Sequence, residues 1–318
     1  MVTMRIAFVF PGQGSQSVGM MAGFDAHPAI RSTFDEASEV LGQDFWALVT
    51  SGPEADLNQT VNTQPVMLTA GVAVWRAWRD AGGATPECVA GHSLGEYTAL
   101  VAAGAIAFGD ALPLVRYRAQ AMQEAVPAGV GAMAAILGLD AAAVAAVCAD
   151  TLAKMEKGRV VEPVNFNGPE QIVIAGHKDA VERALEEATA RGAKRGVLLP
   201  VSAPFHSSLM RPAAERLAAK LASVAIAQPA IPVLHNVDVM ERSTAEAIRG
   251  ALAQQAAAPV RWVETIQAFA ARGVTHVVEF GPGRVLTGLN KRIVRELKSF
   301  ALTDGADLDA AKASLAGN

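Results

Sequence analysis

Apolar residues fall along this chain in short unbroken runs, each stopped by a glycine-containing turn. IAFVF (6–10) ends at Pro11-Gly12, ECVA runs into GHS, and IPVLHNV and THVVEFGPG repeat the arrangement further on. Continuous apolar runs, rather than alternating ones, mark strands buried on both faces, as in a parallel sheet. Helical stretches separate them, around Pro65 to Arg79 and Ala111 to Glu124, with a small-residue helix from Gly95 to Ala103. Such alternation predicts an α/β fold whose ligands gather at the carboxyl ends of the strands. The loops GQGS, GHSLG, HNVD and GPGR all fall there.

From residue 129 to about 201 the rhythm changes. AMAAILGL, a helix over 140–154, VEPVNFN, QIVIAGH, a helix over 179–191 and AKRGVLLPV read as βαββαβ, the ferredoxin-like plan. The flanking GVG and LPVSAP stretches read as hinges. A parallel-sheet large domain from residues 1–128 and 200–318 is thus expected to carry an inserted small domain at 129–199, with a cleft at their seam. The tail after Phe300 reads as one short helix.

Composition narrows the classes. The 318 residues are 51% hydrophobic and 18% charged, which fits a compact chain rather than a disordered one. A net charge of −4 with scattered Lys and Arg supplies no broad basic field, so no nucleic-acid partner is expected. Cys88 and Cys148 lie far apart without nearby metal-ligand companions, which argues against a disulfide framework or a zinc site. No uncharged apolar stretch reaches 18 residues, and Ile6 to Phe10 is too short for a signal core, so the expectation is a cytoplasmic protein off the membrane.

GHSLGEY (91–97) contains the G-x-S-x-G spacing that lifts a nucleophilic serine onto a tight strand-to-helix turn. Ser93 is the leading nucleophile, and the N–H of Leu94 at the positive helix start is placed to receive an acyl oxyanion. A serine at neutral pH needs a base, and His177, His206, His235 and His276 follow it in the chain. His276 reads as mid-strand and His177 as the end of a strand in the insert. His206, in the turn-like SAPFHSSLM beside the seam, leads, with His235 its competitor. PGQGSQ allows close backbone approach at the same sheet edge and offers Gln13 as a second oxyanion donor. Neither GQGSQSVG nor GPGRVLTG keeps the G-x-G-x-x-G spacing of a dinucleotide loop.

Together FPGQGSQ, GHSLGEY, RAQAMQEAVP, NFNGPEQIVIAG, APFHSSLM and GPGRVLTGL resemble, in order and over almost the whole chain, the malonyl-CoA:acyl-carrier-protein transacylases of type II fatty acid synthesis. The resemblance implies a hydrolase-like large domain, a ferredoxin-like insert, and ping-pong transfer of malonyl from malonyl-CoA to the phosphopantetheine thiol of acyl carrier protein, without metal or redox cofactor. It selects His206 as base, Gln13 and Leu94 as oxyanion donors, and Gln255 as a glutamine that helps hold the histidine, with a main-chain carbonyl near Gln255 orienting the imidazole. Arg118, which the residues alone do not separate from Arg116, matches the arginine that grips the malonyl carboxylate, with Met122 and Asn165 as further pocket residues. Leu94 and Phe205 match a malonyl-selective pattern whose bulk disfavours an α-methyl branch. Asp238 is the nearest alternative third member of the site, and Lys194, Arg195 and Arg284 are candidate carrier-docking positions. A serine esterase, a non-catalytic carrier-docking subunit, and an acyltransferase of a polyketide or malonate-decarboxylase system are the rival readings.

Overall fold

The computed structural model describes residues 4–24 and 27–316. Its strands are β1 (Ile6–Phe10), β2 (Cys88–Gly91), β3 (Gly131–Leu137), β4 (Val161–Gly168), β5 (Gln171–His177), β6 (Arg195–Leu198), β7 (Val233–Leu234), β8 (His276–Phe280) and β9 (Lys298–Leu302). They form two sheets, one in the order β7-β2-β1-β8-β9 and one in the order β4-β5-β3-β6. Every pairing in the first is parallel and every pairing in the second antiparallel. The expected α/β architecture with a central parallel sheet is therefore present.

All five residues of β1 are buried, which is why IAFVF carries no polar alternation. Phe8 and Phe10 point to one face and Ala7 and Val9 to the other, each into its own apolar cluster. On the first face Phe8 meets Phe280 at 4.4 Å and packs edge-on against Trp75 and Trp78 of the helix Thr60–Asp80. On the second, Trp262 is fully buried and its indole N–H donates to Asn290. With β1 thus sandwiched, its carboxyl end and that of β2 lie side by side, and the loops GQGS and GHSLG meet.

The second sheet buries Ile136, Ile172 and Ile174 under the helices Ala141–Ala153 and Lys178–Ala190. Met133, Val173 and Ala175 from its other face join the main core instead. The segments that lead into and out of this sheet touch: a Cβ on Gly131 would lie 2.3 Å from the Pro204 ring. The insertion leaves just after the helix Phe108–Glu124 and returns just before His206. Its seam therefore runs past both.

Several elements differ from the sequence reading. The stretch IPVLHNV forms only the two-residue β7, because His235 and Asn236 leave the ladder to bond the Glu96 carboxylate. The tail is a strand, β9, before its helix Gly305–Leu315; as an edge strand with a mixed pattern, KSFAL shows no continuous apolar run. The helix read from Pro65 begins at Thr60, since a proline, lacking the N–H of an interior helical position, looks like a boundary in sequence. Helices at Pro28–Leu41, Arg211–Leu221, Ala245–Gln255, Trp262–Ala271 and Val285–Ile293 had no counterpart in the reading. Among the described residues no helix is long and apolar enough to cross a membrane.

Glycine spacing here is a packing constraint that stability measurements can test. A Cβ on Gly95 would sit 2.0 Å from the Phe10 carbonyl oxygen, so Gly95→Ala must push the helix Gly95–Ala102 off β1. It is expected to cost more than about 2 kcal/mol in chemical denaturation. Gly250, inside the helix Ala245–Gln255 with open space around its Cβ direction, is the control. There alanine should stabilise by about 0.5–1 kcal/mol.

Candidate active site

Ser93 stands between β2 and the helix Gly95–Ala102 at φ 52°. Gly91 and Gly95 make that turn possible, because a Cβ on Gly91 would fall 1.8 Å from the Gly95 carbonyl carbon. Three described non-glycine residues have positive φ: Ser93, His206 at 67° and Val239 at 63°. Two of the three face each other. Such a backbone costs of order 1–3 kcal/mol and persists only where surrounding contacts hold it. Asn236 supplies some of them, its Oδ1 accepting from the Ser93 N–H at 2.7 Å and its Nδ2 donating to the Gly91 carbonyl at 2.7 Å.

The Ser93 hydroxyl lies 2.7 Å from Nε2 of His206. On the other side of the ring, Nδ1 is 2.9 Å from the main-chain oxygen of Gln255. A carbonyl only accepts, so Nδ1 carries the proton and Nε2 is left to accept from the serine O–H. That is the tautomer a general base requires. His206 is buried, and burial, reinforced by the nearby Arg118 cation, pulls its pKa down to about 3. The ring is therefore neutral at pH 7.

The other three candidate bases lie elsewhere. His235 is bonded to Glu96, His177 accepts from the Val160 N–H, and His276 sits beside Thr275 and stacks on Phe300. Asp238 pairs with Arg242 at 2.6 Å and takes no part in holding His206. Of the candidate docking positions, Lys194 pairs with Glu170 and Arg284 with Asp307, both at the surface. Arg195 lies in β6.

Arg118, only 2% exposed, comes up from the helix Phe108–Glu124 and donates to Gln64 at 2.7 Å, Gln255 at 2.9 Å and the Ser93 oxygen at 3.2 Å. Its guanidinium also lies over the Tyr97 ring at 5.4 Å. Arg116, by contrast, faces Leu41 and Gln43 outside the site. The serine hydroxyl is thus shared between an acceptor nitrogen and a cation, an arrangement that favours alkoxide character on Oγ. Gln255 is saturated: its carbonyl holds His206, its Oε1 takes Arg118, and its Nε2 donates to the Ser93 carbonyl and to Glu96.

These groups line a chamber of about 110 Å³ together with Gln13, Leu94, Met122, Met133, Asn165 and Phe205. All eight site residues read from sequence border it except Gln255, which backs it from behind. The volume suits a small acyl group, well short of the roughly 300–1,000 Å³ of drug-sized pockets. A wider cleft of about 420 Å³ continues outward past Gly12, Asn165, Asn167, Pro200 and Leu286. A larger groove of about 660 Å³ elsewhere, bordered by Trp75, Arg76 and Arg249, holds none of the paired groups. Neither the Leu94 nor the Gln13 N–H donates to a protein group among the described residues, while the Gln13 side chain is fixed by Thr60.

Sequence reading missed Gln64, Glu96 and Asn236. Glu96 stands inside GHSLGEY and Asn236 inside HNVD, so both motifs were in view; what their side chains reach depends on a segment 140 residues away in the chain. Gln64 had no signal at all.

A parallel α/β sheet with a serine elbow and a neutral, buried histidine is built for acyl transfer, and the chain belongs to the acyl transferase domain family, whose model matches residues 7–318. More narrowly, it is 54% identical over 96% of its length to the malonyl CoA-acyl carrier protein transacylase of Salmonella typhimurium (strain LT2), covering 98% of that protein. Among solved structures it is similar to an acyl-carrier-protein S-malonyltransferase from Burkholderia pseudomallei, at 60% identity and TM-score 0.95, with 98% of this chain and 100% of that one covered. A malonyl-transacylase solved in complex with a type II PKS acyl-carrier protein is 51% identical with TM-score 0.95, covering 98% of this chain and 99% of that one.

The depressed His206 pKa has a readable consequence. Its free-base form survives as pH falls below the ordinary histidine value of about 6.5. Inactivation by a serine-directed fluorophosphonate should therefore keep more than half its plateau rate at about pH 5.5. A midpoint at or above about 6.5 would mean that His206 is not the desolvated base described here.

Proposed function

We propose that the chain transfers a malonyl group from malonyl-CoA to the phosphopantetheine thiol of an acyl carrier protein through a malonyl ester on Ser93, supplying malonyl units for fatty acid synthesis. The observation that carries this reading is the buried Arg118 guanidinium in the same small chamber as the Ser93–His206 pair. A serine and histidine alone serve any acyl group. A buried cation beside them favours an acyl group with its own carboxylate, which a guanidinium can hold by two parallel charge-assisted hydrogen bonds.

In the first half-reaction the Ser93 O–H gives its proton to His206 Nε2 as Oγ attacks the thioester carbonyl. The N–H groups of Leu94 and Gln13 hold the oxyanion, and the coenzyme A sulfur leaves with the proton returned by His206. In the second half the carrier thiol gives its proton to the same nitrogen and its sulfur attacks the malonyl ester, after which Ser93 recovers its proton. Met122 and Phe205 wall the acyl chamber, and Asn165 borders both it and the outer cleft, along which the pantetheine arm would run. Both halves balance with these side chains and two thiols, so the reading includes no metal or redox cofactor, and its setting is the cytoplasm.

The insertion belongs to this reading as a separate unit. The succession β3, helix, β4, β5, helix, β6 and the order β4-β5-β3-β6 support a ferredoxin-like small domain at 129–199 on a hydrolase-like large domain of 1–128 and 200–318. Its contribution to the site is the part of the chamber wall made by Met133, Asn165 and Leu199.

Intact-mass spectrometry after mixing with malonyl-CoA tests the central step. A malonyl adduct should form on Ser93, disappear when holo carrier protein is added, and be absent in Ser93→Ala; release as free malonate without carrier would point to an esterase. Arg118→Ala should lower kcat/KM for malonyl transfer by about a hundredfold or more and for acetyl transfer by less than about tenfold. Equal losses would remove Arg118 from the carboxylate role.

A further inference from the structure

The proposed transfer leaves one fully buried carboxylate unexplained. Glu96 accepts from His235 Nδ1 at 2.7 Å through Oε1, and from the Asn236 N–H at 2.9 Å and Gln255 Nε2 at 3.0 Å through Oε2. His235 is itself wholly buried, and its Nε2 has no partner among the described residues. The ring thus turns Nδ1 to the carboxylate and touches no acidic group among the described residues through Nε2, while the other two donors to Glu96, the Asn236 N–H and the Gln255 amide, are neutral groups.

Across the Gln255 amide from this carboxylate lies Arg118. The amide oxygen accepts from the guanidinium while the amide nitrogen donates to Glu96, so the three groups form a polarised row of cation, amide and anion. The remaining partners of Arg118, namely Gln64, the Ser93 hydroxyl and the Tyr97 ring, are all neutral. Among the groups bonded in this row, Glu96 alone brings negative charge to a guanidinium that is 2% exposed. Burial lowers the Arg118 pKa and the nearby Tyr97 and Glu96 raise it.

We propose that Glu96, acting through Gln255, is the internal counter-charge of Arg118 and sets how tightly that guanidinium takes a substrate carboxylate. This rests on the carboxylate-holding role of Arg118 in the proposed function. With the counter-charge in place, the buried cation is tolerated and is oriented by the amide before substrate arrives. An incoming carboxylate also feels Glu96 as a like charge, which tempers its affinity, so the acyl group is held without being trapped. Glu96 is a positioning and tuning residue, since it reaches the acyl group only through Gln255 and Arg118.

Glu96→Gln separates charge from shape. Its oxygen can still accept from the Asn236 N–H and Gln255 Nε2, and the hydrogen bond to His235 that its NH2 disturbs is controlled by the Glu96→Asp variant. Free malonate binding is measured by calorimetry on the unreacted enzyme, and KM for malonyl-CoA and acetyl-CoA alongside. Removal of a like charge at this range in a partly dry site is expected to tighten malonate by about tenfold and to lower KM for malonyl-CoA, with acetyl-CoA KM within about twofold of wild type. Malonate affinity that is unchanged or weaker in a Glu96→Gln protein with native circular dichroism would overturn the proposal. Should that variant fail to fold, Glu96→Asp carries the test: it keeps the charge, and malonate affinity should stay within about twofold of wild type. A loss beyond about tenfold there would show that Glu96 acts by shape alone. Because calorimetry does not depend on turnover, a missing malonyl adduct in the wild type would fault the proposed function, whereas unaltered malonate affinity in Glu96→Gln faults the role of Glu96.

Discussion

A guanidinium buried to 2% exposure must find hydrogen-bond acceptors from the protein, and the polar groups around Ser93 are arranged around that demand. Arg118 meets Gln64 from one helix, Gln255 from another and the hydroxyl of the elbow serine. Gln255 in turn uses its backbone oxygen to hold His206 and its amide nitrogen to reach Ser93 and Glu96. A single glutamine therefore couples base, nucleophile and cation, and moving it would disturb all three. In a buried polar network each such hydrogen bond is stronger than it would be in water, and the groups joined through Gln255 are almost wholly removed from solvent.

The same cation acts on the base. Its proximity, added to desolvation, holds His206 neutral, and a neutral ring with its proton on Nδ1 is the form that can accept from Ser93. Positive φ at both Ser93 and His206 shows that the surrounding contacts hold backbone in a sparsely populated region to bring the two side chains together. The scaffold beneath is unusually tight. Gly91, Gly95 and Gly12 each sit where a Cβ would strike backbone, at 1.8, 2.0 and 2.6 Å, so the elbow is pressed onto β1 and the GQGS loop onto the elbow. Leu94 and Gln13, far apart in sequence, border one chamber because of that contact.

The insertion shapes access. It departs after the helix that carries Arg118 and Met122 and returns just before His206, and it contributes Met133 and Asn165 to the chamber wall. Glu162 of β4 accepts from both the N–H and the hydroxyl of Ser208, two residues beyond His206, and so ties the insert to the loop that holds the base. Small displacements of one unit against the other would be felt directly at the imidazole.

Local physics made much of this legible in sequence. Unbroken apolar runs mark β1, β2 and β8 because a doubly covered strand has no solvent face, and glycine spacing marks the elbow because the turn admits no Cβ there. The βαββαβ rhythm was readable for the same reason, each element being set by neighbours along the chain. What failed were elements without such a signature: β9, whose edge position needs no apolar run, and β7, cut short by side chains that bond Glu96. Local pattern left four histidines and both Arg116 and Arg118 open, and the family resemblance selected His206 and Arg118; seeing Gln64, Glu96 and Asn236 at all required contacts between residues 54 to 159 positions apart. The sequence by itself determined the layers, the elbow and the βαββαβ order of elements from β3 to β6, since those follow from propensity and pattern within a few residues. Only the tertiary structure decided which polar side chains share the chamber, because hydrogen-bond partners and burial are properties of where distant segments end up, and no local pattern encodes them.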